Sequence, residues 1–393
     1  MTGRNESSAG SGVVGWKAKA GIVVLGAVGA VVFNILPLFL GAASDSFDLN
    51  DSQLGLLGSA YLGGYAIMIA AGFFWVDRWP WRRTLAAALL AAGGLFCSIP
   101  LVEGFAELGI LVAACGIALG TVYGLGYPAI ARLPNPERLI GLKMAAEALL
   151  GTTLLFFLPG SVVAEWGFSG VAIVLGSLSF LALALVPSFP SLGELRESPG
   201  PGATATADPR IVLIGLGALG LYTGGMTGVW AFVERLGVGH GFTPSQIGGV
   251  LGLSLVVSVG AAFAAAAKGD RGNQTLPHAV ALVGLGVAIA LWLGSSSLFA
   301  YGAGVLLVNG SWFFAFPFQQ ALATRAAGAE RLVMLVPAMA ALGAAAGPGL
   351  AGALKAESSF LPIYLFGCGA SLLGFAGFRF VLRRIPIRPA SSN

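Results

Sequence analysis

Charge is what this sequence has least of. Only 10% of its 393 residues are Asp, Glu, Lys or Arg, against about 25% in ordinary soluble domains. Histidine occurs twice and cysteine three times. Cys97, Cys115 and Cys368 lie inside apolar stretches without metal-ligand spacing, so neither a disulfide framework nor a metal site is expected. There is no phosphate-binding glycine-rich loop with its lysine and no nucleophile–base pairing, and His240 and His278 stand near span ends. A cleavable leader is not expected either: residues 1–16 are polar, and the apolar run that follows Lys17 and Lys19 is too long for a signal core. These shortages exclude two or three soluble domains and leave no cofactor or nucleic acid to be expected.

What the chain has is apolar length. Hydrophobic residues make up 56%, mean hydropathy is +0.87, and sixty glycines point to helices packed through small faces. Twelve spans of bilayer-crossing length are predicted, near 20–41, 53–76, 84–102, 107–130, 142–164, 168–187, 210–233, 245–267, 276–294, 298–321, 332–354 and 359–381. An even number puts both termini on one side. With that side cytoplasmic, 19 of the 21 Lys and Arg fall inside, leaving Arg235 and Lys355 outside. A multi-pass protein of the cytoplasmic membrane is expected, and the pI near 9.1 is an orientation signal.

The chain also repeats itself. Ser52-Gln53-Leu54-Gly55 returns 193 positions later as Ser245-Gln246-Ile247-Gly248, and Asp77-Arg78 returns as Asp270-Arg271. At the same offset Arg132, Glu137 and Arg138 match Arg325, Glu330 and Arg331. Residues 1–187 and 210–393 are therefore read as two six-helix halves. Residues 188–209, rich in Pro, Gly, Ser and Thr, form the cytoplasmic linker.

Two six-helix halves, a central linker and an acid-base loop between spans 2 and 3 resemble the major facilitator superfamily. Its loop motif G-x-x-x-D-R-x-G-R-R corresponds here to the run from Gly72 to Arg83. Gly72 stands one residue further from Asp77 than the motif asks, and Trp79-Pro80-Trp81 replaces x-Gly. The second copy keeps Asp270-Arg271 and Gly272. The resemblance implies an all-α integral membrane fold with twelve helices in two pseudo-symmetric halves. It also implies a gating network that latches the cytoplasmic ends across the seam: Asp77, Arg78, Arg132 and Glu137, with Asp270, Arg271, Arg325 and Glu330. The drug/proton antiporters of the superfamily carry a G-x-x-x-G-P run on span 5. Here the match lies on span 11, from Gly343 to Gly349, which weakens the antiporter reading.

The resemblance places a substrate site near the midplane, where polar side chains are scarce and usually functional. Candidates are Asn34 on span 1, Tyr61 and Tyr65 on span 2, and Tyr123 and Tyr127 on span 4. In the second half they are Tyr222 and Trp230 on span 7, with Asn309, Trp312, Gln319 and Gln320 on span 10. Interhelical hydrogen bonding and interfacial anchoring are the alternative for each. Glu147 is the one acid deep in a span. It is either a protonatable coupling group or an i,i+4 partner of Lys143.

A phosphorylated substrate would need several buried cations and none is evident, so a neutral, amphipathic or weakly acidic small molecule is expected. The expected function is secondary transport by alternating access with protons as candidate coupling ion. Proton-antiport efflux and uncoupled facilitated diffusion stay open. A non-transporting receptor and an intramembrane enzyme are more remote. The expected partners are the small-molecule substrate and membrane lipid, with the protein acting as a monomer.

Overall fold

Hydrocarbon offers no partner for backbone N–H and C=O groups, and every described membrane-crossing element is helical, with a π turn at Pro159–Val163 and 3-10 turns at Ile99–Leu101 and Leu183–Ser188 among the α-helices. The computed structural model describes residues 15–133, 136–191, 208–269, 272–327, 335–355 and 359–385. Helix α1 comes in three pieces, Trp16–Gly29, Val31–Asn34 and Leu36–Phe47. Then follow α2 (Asp51–Trp75), α3 (Trp81–Ser98), α4 (Phe105–Ala131), α5 (Pro136–Phe157) and α6 (Ala164–Ala182). The second group is α7 (Pro209–Gly239), α8 (Pro244–Lys268), α9 (Leu276–Gly294), α10 (Leu298–Ala327), α11 (Leu335–Leu354) and α12 (Leu361–Arg384).

Ten of the described segments are long and apolar enough to cross a membrane. One of them, Leu139–Ser188, holds two crossings, because Gly167 turns the chain with φ +54° between α5 and the body of α6. The fold tolerates that left-handed turn because the residue is glycine, and the next N–H, that of Phe168, donates to Ser46 Oγ at 3.0 Å. The broken α1 supplies the remaining crossing. Its breaks at Ala30 and Ile35 precede Pro37, which lacks the N–H that would close the ladder.

The repeat has a physical basis at the helix starts. Asn50 and Thr243 cap α2 and α8, and the repeated Gln53 and Gln246 are the third residues of matching capping boxes. Gln53 N–H donates to Asn50 Oδ1 at 2.9 Å, and Thr243 N–H to Gln246 Oε1 at 2.9 Å. The same offset of 193 reappears where the halves meet. Ser59 Oγ of α2 donates to the Ala345 carbonyl of α11 at 2.5 Å, and Thr152 Oγ1 of α5 donates to the Gly252 carbonyl of α8 at 3.2 Å. Adding 193 to 59 gives 252, and adding it to 152 gives 345, so the two bonds are one contact used twice. Glycines lie in the same relation: Gly55 abuts the Pro348 carbonyl and Gly248 the Leu155 carbonyl. The protein is thus an all-α membrane fold of two pseudo-symmetric halves, joined along α2–α11 and α5–α8.

Helix α11 is gripped from both sides. Pro348 lacks an N–H, and the Ala344 carbonyl one turn before it accepts from Thr227 Oγ1 of α7 at 3.0 Å. On the other side Ser59 Oγ accepts from the Gly349 N–H at 2.8 Å while donating to Ala345. The run from Gly343 to Gly349 therefore packs α11 against α7 and α2, as a small-residue interface does.

Such contacts leave no volume to spare. A Cβ at Gly116 of α4 would strike the Tyr61 backbone of α2, whereas one at Gly109 meets nothing within 4 Å. Gly116→Val is expected to destabilise the protein by about 1–3 kcal/mol and Gly109→Val by under about 0.5 kcal/mol. Thermal unfolding of the detergent-solubilised variants checks this; equal melting temperatures would refute close packing at Gly116.

Candidate functional site

Six side chains of the first half assemble into one cluster. Tyr61 and Tyr65, one turn apart on α2, stack with ring centroids 6.2 Å apart, and Tyr65 lies 5.3 Å from Tyr123 of α4. Tyr123 and Tyr127 share a helix face, and their hydroxyl oxygens are 2.9 Å apart. Against them α5 sets Lys143, whose Nζ stands 3.7 Å above the Tyr123 ring and 5.0 Å from that of Tyr127. Lys143 donates to Glu147 in an i,i+4 ion pair. Its side chain is 3% exposed and that of Glu147 13%. The expectation of no buried cation is corrected here. Lys143 counts as a loop-end residue by sequence position, but α5 begins at Pro136 and carries it two turns into the bundle.

The second half is more apolar. Tyr222 and Trp230 are both buried on α7, and Tyr222 lies beside Gln319 of α10. Their polar ends face each other, the Tyr222 hydroxyl toward the Gln319 amide, and neither has another partner among the described residues. Asn309 is committed elsewhere: its Nδ2 donates to Ser254 Oγ of α8 at 2.7 Å, so it joins α10 to α8 within one half. Trp312 reaches across to the other half, edge-on to Phe33 of α1 at 6.1 Å. Gln320 is half-buried. Asn34 sits at the second break of α1 against Gly151 of α5, and its Nδ2 has no partner.

A family model described as Major Facilitator Superfamily matches residues 21–336. The chain belongs to that superfamily. The assignment makes it a membrane transporter and not an enzyme. No curated protein matches the sequence. Among solved structures, a mutant of the nucleoside transporter NupG is similar at 10% identity, covering 93% of this chain and 100% of its own, with a TM-score of 0.76. The xylose transporter XylE from E. coli is similar at 13% identity, covering 96% and 98%, with a TM-score of 0.73. The human organic anion transporter MFSD10 is similar at 17% identity, covering 93% and 99%, with a TM-score of 0.66.

This superfamily member places its charges differently from what the loop motif implies. Asp77 Oδ1 accepts from Arg132 Nη2 at 2.8 Å, but both residues belong to the first half, since the ends of α2 and α4 are neighbours there. The inserted Trp81 fills this corner. It is buried, donates from Nε1 to the Val76 carbonyl at 2.7 Å, and lies 5.4 Å beneath the Arg132 guanidinium. Arg78 is exposed, and Arg325 sits in the last turn of α10. Asp270, Arg271, Glu330 and the side chain of Glu137 lie outside the described residues.

Among the described residues, ion pairs that cross between the halves stand at the opposite face, away from the termini. Arg235, near the end of α7, donates from Nη1 to Asp45 of α1 at 2.7 Å. It also holds Glu234 at 2.6 Å and the Gly41 carbonyl at 3.2 Å. Lys355, just past α11, donates to Asp51 at the start of α2 at 2.8 Å. Sequence reasoning missed these acids, although a signal was present: Arg235 and Lys355 are the two cations that the orientation count leaves on that face.

The Asp77–Arg132 pair is open to solvent, whereas Trp81 is enclosed. Asp77→Asn is expected to change stability by under about 1 kcal/mol, and Trp81→Ala to lower it by about 3–5 kcal/mol. Thermal unfolding orders the two; a larger loss for Asp77→Asn would assign the corner to the ion pair.

Proposed function

We propose that this protein is a secondary transporter that moves a small organic molecule across the cytoplasmic membrane by alternating access, with both termini in the cytoplasm. The observation that carries the reading is a set of four buried polar side chains drawn from α1, α2, α7 and α10 and hence from both halves. Asn34 Nδ2 and Tyr61 Oη have no partner, and Tyr222 and Gln319 have only each other. Each such group costs about 1–3 kcal/mol when left unpaired, so the fold keeps them where a polar ligand repays the loss. Tyr123, Tyr127, Trp230 and Trp312 supply the aromatic walls. The similar structures carry names of transporters for a nucleoside, for xylose and for organic anions, and such small organic solutes fit this lining.

Residues 1–187 and 210–393 are the two moving bodies, 188–209 is their linker, and a single chain forms the whole path. The pairs Asp45–Arg235 and Asp51–Lys355 hold the outer ends together, so the conformation described is closed toward the outside. Two energetic readings remain. One takes Glu147 as the proton carrier, in keeping with a solved structure similar to this chain that is named a D-xylose-proton symporter. The other, facilitated diffusion, draws support from the ion pair that already neutralises Glu147.

Uptake of radiolabelled solutes into proteoliposomes tests transport itself, and product formation without flux would refute it. The outer clamp has its own test. With Cys97 replaced by Ser, spin labels at Leu101→Cys and Ser295→Cys report the outer-face distance between the halves. Arg235→Gln with Lys355→Gln is expected to shift that distribution to longer distances; an unchanged distribution would deny the pairs a gating role.

A further inference from the structure

Lys143 is the residue that the proposed transport reading does not yet use. We propose that it is the docking point for the carboxylate of an organic monoanion with an apolar or aromatic body, and that Glu147 is the internal counter-ion which that carboxylate exchanges with. The inference rests on the transporter reading and narrows its substrate class.

Three observations carry it. The first is direction. Leu142, Leu149 and Phe156 are exposed and mark the lipid face of α5. At 3.6 residues per turn, Lys143 and Glu147 point about 120° and about 160° away from that face. The 13% exposure of the Glu147 side chain is thus toward the bundle interior. The second is the lining. One turn beyond Glu147, Gly151 lets α5 approach Asn34 of α1 and Leu255 of α8 from the other half. The stripe Lys143–Glu147–Gly151 therefore leads to the seam, where Asn34 Nδ2 is an unpartnered donor. Beside the cation stand the rings of Tyr65, Tyr123 and Tyr127, which suit a flat or aliphatic body.

The third is charge balance. The titratable groups facing Glu147 are Lys143 on its own helix, Tyr65 on α2, and Tyr123 and Tyr127 on α4. From α1 and α8, Gly26 lies against Lys143, and Asn34 and Leu255 lie against Gly151. Among the described residues Lys143 is the one cation facing Glu147, and it neutralises one carboxylate at a time. When the substrate carboxylate takes its place beside Nζ, Glu147 is parted from its only counter-charge. A lone carboxylate in this setting is stabilised by a proton from the adjoining water, so one proton is taken up per anion bound. Loading is then electroneutral. A dianion or phosphate ester leaves a charge uncompensated, and a cation finds Lys143 in its place.

The test uses the purified full-length protein in detergent, with acetate, octanoate, benzoate and phenylacetate, and with the amide of each as the neutral counterpart. At least one acid is expected to raise the melting temperature while its amide does not. Proton uptake in weak buffer should then be close to one per anion bound. Lys143→Gln with Glu147→Gln removes the pair as a unit and is expected to keep the unliganded melting temperature within a few degrees. It should weaken the acid's apparent affinity at least tenfold. If the double variant is unstable, Glu147→Gln alone, which keeps the cation, replaces it: the acid is expected to raise its melting temperature without proton uptake, and uptake equal to that of the wild type overturns the proposal. The proposal is overturned if no acid stabilises the wild type, if amide and acid act equally, if no proton is taken up, or if the double variant responds like the wild type. Transport of a neutral solute alongside any of these results leaves the carrier reading standing and removes only the anion; absence of flux for every solute removes the carrier reading itself.

Discussion

Helices in a bilayer are not pushed together by water, because lipid tails solvate an apolar side chain as well as another helix does. What holds this protein together is close backbone approach, and α11 is where it is most concentrated. Pro348 breaks the hydrogen-bond ladder of that helix, and hydroxyls from its two neighbours attend to the groups around the break, Thr227 from its own half and Ser59 from the other. Gly343 and Gly347 admit α7, while Gly349 and Gly352 admit α2. Because α11 touches both halves through atoms with no slack, a change in its tilt is felt on each side. The repeat-related seam of α5 against α8 works with the same parts, Thr152 and Gly248, but without an intrahelical proline at the position matching Pro348.

Charge follows the same economy. The described ion pairs sit either at the two membrane faces or, in one case, inside the bundle. Among the described residues, the face opposite the termini has two basic residues, and each is bound to an acid of the other half. The interior pair, Lys143 with Glu147, has no counterpart 193 residues on, where Val336 and Ala340 stand. The duplication therefore accounts for the scaffold, and the departures from it mark where the halves have diverged. Glycine contacts and capping boxes are shared, while the interior charge and the outer clamp are not.

Much of the fold was legible in the sequence because its causes are local and repeated. Span length follows from bilayer thickness, and the duplication from residues whose duties recur, such as Gln53 and Gln246 closing their capping boxes. The site was less legible. Tyr123 with Tyr127 and Lys143 with Glu147 fall one helical turn apart, so their contacts follow from spacing alone. Which of the candidate polar residues are already occupied does not. Asn309 is spent on Ser254 fifty-five residues away, Tyr222 and Gln319 face each other across α7 and α10, and Asn34 Nδ2 is left unpartnered.

The sequence by itself determined the helices and the twofold plan, since both depend on residues near one another in the chain or on a repeat at a fixed offset. Tertiary structure alone decided that Asp77 and Arg132 are partners within one half. It also decided that the cross-half pairs lie at the opposite face, and that Lys143 is an interior cation. The reason is geometric. An ion pair is fixed by a separation of about 3 Å between side chains that the sequence sets up to three hundred positions apart. Only the packing of the helices says which of the few charges come within that reach.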